Sequence, residues 1–338
     1  MLPIPAKCAN SSTVDHPFSQ IFLHTIIVME LPCSLFAVYC IANVTPKQMF
    51  VLKVLLLAHQ IWVSYYSFLI NVAIAPFIFF PDIVIYTRGL LDIIDTPIKF
   101  QAYLLGTAFS GLVLSILGLF SYRHQCVLPE SHFMKMRHET FVGVTTGLHV
   151  MAFVFMVPQM IVSPDQAMTF EAMQREYTDP PCDLWDPRMY AFFHGPSKMM
   201  AFYASWILGC SILMGFFVYH SFQIIRQSSS IVSKSTRKKQ IGFLYALILM
   251  AVIPNLLVCF PMVGLVVGIA SSLNYNPVYG EISICCLSVH GLVSTITLIL
   301  SVKDYKKAAV AFLGKFTCQH HLNKNTVQIE VSTRSAKF

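Results

Sequence analysis

Apolar stretches of bilayer length recur along the chain, near residues 20–42, 52–76, 99–121, 139–163, 199–225, 241–268 and 282–302, each closed off by charged residues, Pro or Gly. A hydrocarbon core of about 30 Å is crossed by about 20 residues at about 1.5 Å each, so every stretch is predicted to be a membrane-spanning helix. The run from Gln240 to Gly280 carries no charge and is long enough to raise the question of two spans. Ser271-Ser272 and Asn274 to Pro277 supply turn chemistry, which predicts one span and a short connection. The pattern as a whole predicts an all-α membrane protein. Its seven-transmembrane helix bundle covers 20–302, between an N-terminal tail at 1–19 and a C-terminal segment at 303–338.

Composition agrees: 56% hydrophobic residues against 12% charged ones leave too little polar surface for a soluble domain. The net charge of +7 changes the picture only through its placement. Basic residues sit between apolar stretches rather than on an aromatic-interleaved face, so no nucleic-acid partner is expected. Seventeen of the 23 Lys and Arg residues fall on one side of the predicted bundle and six on the other. Short loops rich in Lys and Arg stay in the cytosol, which predicts an N-terminus outside and a C-terminus inside. The run Ile21 to Ala42 is too long for the core of a signal peptide and is preceded by Lys7 as its one basic residue, so the first span is expected to be retained. Asn10-Ser11-Ser12 is then a glycosylation sequon on the outer tail, whereas Asn43-Val44-Thr45 falls on the inner side and should be unused.

Among ten cysteines, Cys8 and Cys182 are the two in predicted outer segments, where the compartment is oxidising. A Cys8–Cys182 disulfide and two free thiols both fit. Neither CxxC, HExxH, GxSxG nor a P-loop occurs, so no enzyme activity, metal or cofactor is expected. His320-His321 beside Cys318 lies in a polar tail and reads as a solvated segment.

Polar and aromatic side chains in the outer halves of the spans are the ligand-binding candidates: Tyr66, Asn71, Gln101, Tyr103, Gln159, Tyr203 and Trp206. Helix–helix hydrogen bonding is the alternative for each of them, and His290 and Asn255 look structural. Glu30 stands alone as an acid within span one and must face the bundle; it is open to two readings, a switch or cation site and a hydrogen-bonded structural carboxyl. Pro32, Pro254 and Pro261 permit kinks. Span three ends in Ser121-Tyr122-Arg123-His124, where many G-protein-coupled receptors carry Asp-Arg-Tyr; Arg123 is a candidate for coupling or a plain positive-inside residue. Lys234, Arg237, Lys238 and Lys239, near Ser228 to Ser230, make the third inner loop basic enough to meet an acidic partner or anionic membrane lipids, although topology alone accounts for them too. Beyond span seven, Tyr305, Ala309, Phe312 and Phe316 recur at helical spacing opposite Lys306, Lys307 and Lys315, which predicts an interfacial amphipathic helix. Cys318 comes next, where palmitoylation would anchor it.

A family resemblance rests on particular segments in order. Val38-Tyr39-Cys40-Ile41, Thr45-Pro46-Lys47-Gln48-Met49 and Ala75-Pro76 with Phe79-Phe80-Pro81 resemble the first third of nematode serpentine chemoreceptors of class H, with class I as the sister class. Pro181-Cys182, Ser233 to Gln240, Ile253-Pro254, His290-Gly291-Leu292 and Ser294-Thr295 extend it across nearly all the chain. Two departures stand out: Asp304-Tyr305-Lys306 replaces the usual Pro-Tyr-Arg, and Ser64-Tyr65-Tyr66 stands where many members carry an acid. The resemblance implies a G-protein-coupled receptor at the plasma membrane, in the sensory cilia of chemosensory neurons. It would take a small odorant or soluble cue outside and a heterotrimeric G protein inside, with receptor oligomerisation left open. The rival class is a seven-span transporter or ligand-gated channel. Transporters show internal repeats and several intramembrane ionisable groups, neither of which is found in this sequence.

Overall fold

The computed structural model describes residues 17–79, 83–162, 164–176, 182, 188–193, 198–227, 234–270 and 277–314. Seven long helices form the bundle: α1 (Pro17–Asn43), α2 (Phe50–Phe68), α3 (Ile98–Val127), α4 (His138–Phe155), α5 (Lys198–Gln227), α6 (Lys234–Ala270) and α7 (Pro277–Ser301). An eighth, α8, covers 303–314. Six of the seven are long and apolar enough to cross a membrane. The remaining one, α4, has 18 residues, opens on His138 and Glu139 and carries His149. Where a single span over 139–163 was expected, α4 stops at Met156 and a separate turn, Val157–Ile161, comes after it with Pro158 in its first positions.

The helices close into a ring in which α1 packs on α2 and α7, and α7 on α6; α3 runs inside it against α2, α4 and α5. Of the candidate spans, α3 is the most buried. The outward faces stay apolar, as Val28, Leu31 and Leu35 on α1 and Leu208 and Ile212 on α5 illustrate. An apolar exterior of this extent is stable in lipid and not in water. The protein is therefore a multi-pass membrane protein.

Span two was expected to run to residue 76, but the α-helix gives way at Leu69 to a π-helical turn, Leu69–Ala73. Ala75 then takes a left-handed backbone (φ 43°), which reverses the chain ahead of Pro76 at a cost a non-glycine residue rarely bears. Beyond this reversal the chain forms β structure that apolar periodicity did not announce. Strands β1 (Pro76–Phe79), β2 (Ile83–Thr87) and β3 (Tyr190–Phe193) form an antiparallel sheet in the order β1-β2-β3. Phe77 stands opposite Tyr86, Ile78 opposite Ile85 and Val84 opposite Ala191, with a bulge between Ile83 and Val84 on the β3 side.

The period-two alternation gives this sheet two buried faces. Phe77, Phe79, Val84, Tyr86 and Ala191 make a small core with Phe170 and Met173 of a loop helix, Gln166–Glu176. The other face looks into the bundle. Two glycines let the sheet sit that close. A Cβ on Gly280 at the start of α7 would overlap the Ile78 carbonyl oxygen, and one on Gly89 would overlap that of Ala73. This covered end of the bundle is the sheet end, and the opposite end, where α3 finishes, is the Arg123 end.

Candidate functional site

Beneath the sheet lies a cavity of about 260 Å³. Its roof is Pro76, Ile83, Ile85, Thr87 and Phe192; its wall on α3 is Ile98, Ala102, Leu105, Gly106 and Phe109, a stripe at helical spacing. Tyr66 and Ile74 from α2 and its π turn, Val258 of α6 and Leu287 of α7 complete it. None of these side chains is charged. Two carry hydroxyls. Thr87 Oγ1 donates to Asp92 Oδ1 at 3.4 Å, whereas Tyr66 packs its ring on Phe109 and edge-on to His290 and makes no side-chain hydrogen bond among the described residues.

Of the seven ligand-binding candidates, Tyr66 lines this cavity, and the others whose side chains are described point elsewhere. Asn71 donates to Ser67 Oγ and the Ser288 carbonyl, and Gln101 to the Thr96 carbonyl. Tyr103 donates to the Phe153 carbonyl on α4. Tyr203 and Trp206 of α5 pack on Phe155. The side chain of Gln159 lies outside the described residues, as do Cys8, Asn10 and Cys318. Cys182 is disulfide-bonded. The roof residues went unseen in the sequence. The signal that would have found them is the β-branched run Ile83-Val84-Ile85-Tyr86-Thr87, bounded by Pro81-Asp82 and Arg88-Gly89.

Below the cavity a polar network ties α1, α2 and α7 together. Glu30 is buried as its sequence position required, and its Oε2 accepts from Ser67 Oγ. Gln60 donates to Thr295 Oγ1 at 3.0 Å and to Ser34 Oγ at 3.4 Å. His59 bonds Ser115 Oγ at 2.8 Å, linking α2 to α3. Asn71 Oδ1, His59 Nε2 and His290 Nδ1 are buried without a partner among the described residues, so the network has spare hydrogen-bonding capacity.

At the Arg123 end, the guanidinium of Arg123 lies over the Phe243 ring of α6, 5.4 Å from its centroid. Its Nε and Nη2 are buried without a hydrogen-bond partner among the described residues. Next to it, His124 Nε2 of α3 and His220 Nδ1 of α5 are 2.7 Å apart. Arg237 is half-buried with its Nε unpartnered, and Lys238 is exposed; the side chains of Lys234 and Lys239 lie outside the described residues. The helix expected after span seven is present as α8. Tyr305, at its start, is buried and shares a 2.5 Å hydrogen bond with Thr45 Oγ1, while Phe312 packs on Phe36 of α1. Burial pushes the Tyr305 phenol above its ordinary range, with the bond to Thr45 opposing, so the hydroxyl keeps its proton. Phe316 and Lys315 lie outside the described residues.

A covered cavity thus lies at one end of a seven-helix ring and a buried cation with unpartnered donors among the described residues at the other. The fold is similar to that in the crystal structure of squid rhodopsin, with a TM-score of 0.58 over 94% of this chain and 91% of that one at 9% identity, a likeness of fold alone. No curated protein matches the chain in sequence. The model of the serpentine-type 7TM GPCR chemoreceptor Srh matches residues 15–315, and the chain belongs to that chemoreceptor family.

Proposed function

We propose that this GPCR-like chemoreceptor detects a small molecule in the cavity under the β sheet and activates a heterotrimeric G protein at the Arg123 end. The observation that carries the reading is the pairing of those two sites on one helix. The α3 stripe from Ile98 to Phe109 walls the cavity, and Arg123 closes the same helix about 30 Å from Ala102 at 1.5 Å per residue. A shift of α3 or α6 on ligand binding reaches both ends, which is what coupling between two sites requires. The proposed orientation puts the sheet end and the N-terminus outside and α8 inside. The excess of Lys and Arg toward the Arg123 end supports it, as does a disulfide at Cys182, between the loop helix and β3, since disulfides persist in oxidising compartments. In that orientation Arg123, Arg237 and Lys238 face the cytosolic partner and α8 lies along the inner leaflet of a plasma membrane, that of sensory cilia in this reading.

The test is to express the full chain with G-protein activation sensors, with epitope tags at both termini, and screen volatile and water-soluble compounds. Ligand-dependent G-protein activation with an externally accessible N-terminus is expected. Ion flux without G-protein activation would transfer the chain to the transporter or channel class.

A further inference from the structure

The cavity specifies the chemistry of its ligand more narrowly than the receptor reading does, and the inference rests on that reading of the site. We propose that the ligand is a neutral, largely apolar molecule of about ten non-hydrogen atoms carrying one hydrogen-bond acceptor, such as a medium-chain ketone, ester or alcohol, and that Tyr66 donates to that acceptor. Size comes first. A dry protein cavity of about 150 Å³ holds a six-carbon ring, and this one, at about 260 Å³, has room for somewhat under twice as much. Charge comes second. No described lining residue is ionisable in the neutral range, and an ammonium or carboxylate buried among Ile74, Ile85, Leu105 and Phe109 would lose its hydration with nothing to replace it. Amino acids, amines, carboxylic acids and nucleotides are excluded on this ground, and sugars on a second one, since a lining with two hydroxyls would leave most of a sugar's own hydroxyls without partners.

The polar contact comes third. Thr87 directs its proton toward Asp92 in a long 3.4 Å contact, while the Tyr66 hydroxyl makes no side-chain hydrogen bond among the described residues. Tyr66 is thus the lining donor with the most unspent capacity among the described residues, and a donor selects an acceptor. The Tyr66 ring is held from both sides, by Phe109 at 6.2 Å and His290 at 5.8 Å, so a ligand that bonds its hydroxyl also bears on α7 through His290.

The experiment uses the full chain in lipid nanodiscs and reads thermal stabilisation, with no G protein present. The probes are size-matched nonanone, nonanol, decane, nonylamine and octanoate. The ketone and alcohol are expected to stabilise most, decane less, and the amine and carboxylate not at all. In Tyr66→Phe the affinity for nonanone should fall about 3- to 10-fold while that for decane is unchanged, the difference one neutral hydrogen bond makes. In Ala102→Phe, which fills the cavity, every shift should vanish; both variants are compared at their own unliganded melting temperature, so a loss of fold is seen as such. Stabilisation by the charged probes, no stabilisation by any neutral one, or an equal loss for nonanone and decane in Tyr66→Phe would overturn the assignment. Neutral probes that stabilise the protein here but activate no G protein in the sensor assay described above would instead sink the receptor reading and leave the ligand class standing.

Discussion

Gly291 of α7 lies directly on the carboxylate of Glu30 in α1: a Cβ built on the glycine would be 2.5 Å from Glu30 Oε1. This contact lets α1 and α7 approach while the only acid deep in a span keeps its bond from Ser67. Gly291→Ala is expected to cost about 1–3 kcal/mol through overpacking, read as a lower melting temperature and reduced surface expression. Shortening the acid with Glu30→Asp in the same chain should recover part of the loss. Additive effects of the two substitutions would show that the contact is not shared.

The bond between Thr45 and Tyr305 ties the turn after α1 to the start of α8. Tyr305→Phe leaves the buried Thr45 hydroxyl without that partner and is expected to cost about 1 kcal/mol, felt locally because the bond lies at the start of α8. Hydrogen exchange should quicken across 303–314 while α3 keeps its protection. Exchange that rises uniformly along the chain would contradict a local docking role.

How much of this was legible in the sequence differs by element. Six helix positions were legible because a span is a local property: α1, α3 and α7 need only a long enough apolar run between polar breaks, and their bounds differ from expectation by a few residues. The sheet was not. Pro76-Phe77-Ile78-Phe79 is as apolar as the helix before it, so hydropathy extended span two across the π turn. Its third strand, β3, comes from beyond α4, about a hundred positions away, and no local rule points to that pairing. Of the cavity lining, Tyr66 was named from the sequence as a polar aromatic in the outer half of its predicted span. Asn71 and Gln101 were not separable from it, because helices apolar on every face do not reveal which side a polar residue will take.

Gly280 supports the sheet from below, its missing Cβ leaving space for the Ile78 carbonyl. Backbone cannot move aside as a side-chain tip can, so Gly280→Ala should push β1 off α7 and loosen the cavity roof. The expected outcome is a receptor that reaches the membrane but gives at least a roughly tenfold weaker response to any cavity ligand, with faster exchange of the amides in 76–87. A response equal to wild type would show that the roof takes no part in binding.

Arg123 offers the sharpest separation of stability from function. Two of its buried nitrogens, Nε and Nη2, lack hydrogen-bond partners among the described residues, and the face of Phe243 lies under its charge. A cation over a partly buried ring gains about 0.5–2 kcal/mol, less than the combined cost of two unsatisfied buried donor nitrogens at roughly 1–3 kcal/mol each. The resting bundle is therefore expected to be more stable without this charge: Arg123→Gln should melt higher than wild type. If the spare donors are held for a G protein, the same variant should lose at least roughly tenfold in G-protein activation while the stabilisation of the protein by nonanone is unchanged. Phe243→Leu, which removes the ring and keeps the charge, should lower the melting temperature and retain activation. An Arg123→Gln protein that melts lower and binds nonanone poorly would assign the residue to the scaffold, and the coupling role would have to move to Arg237 and Lys238.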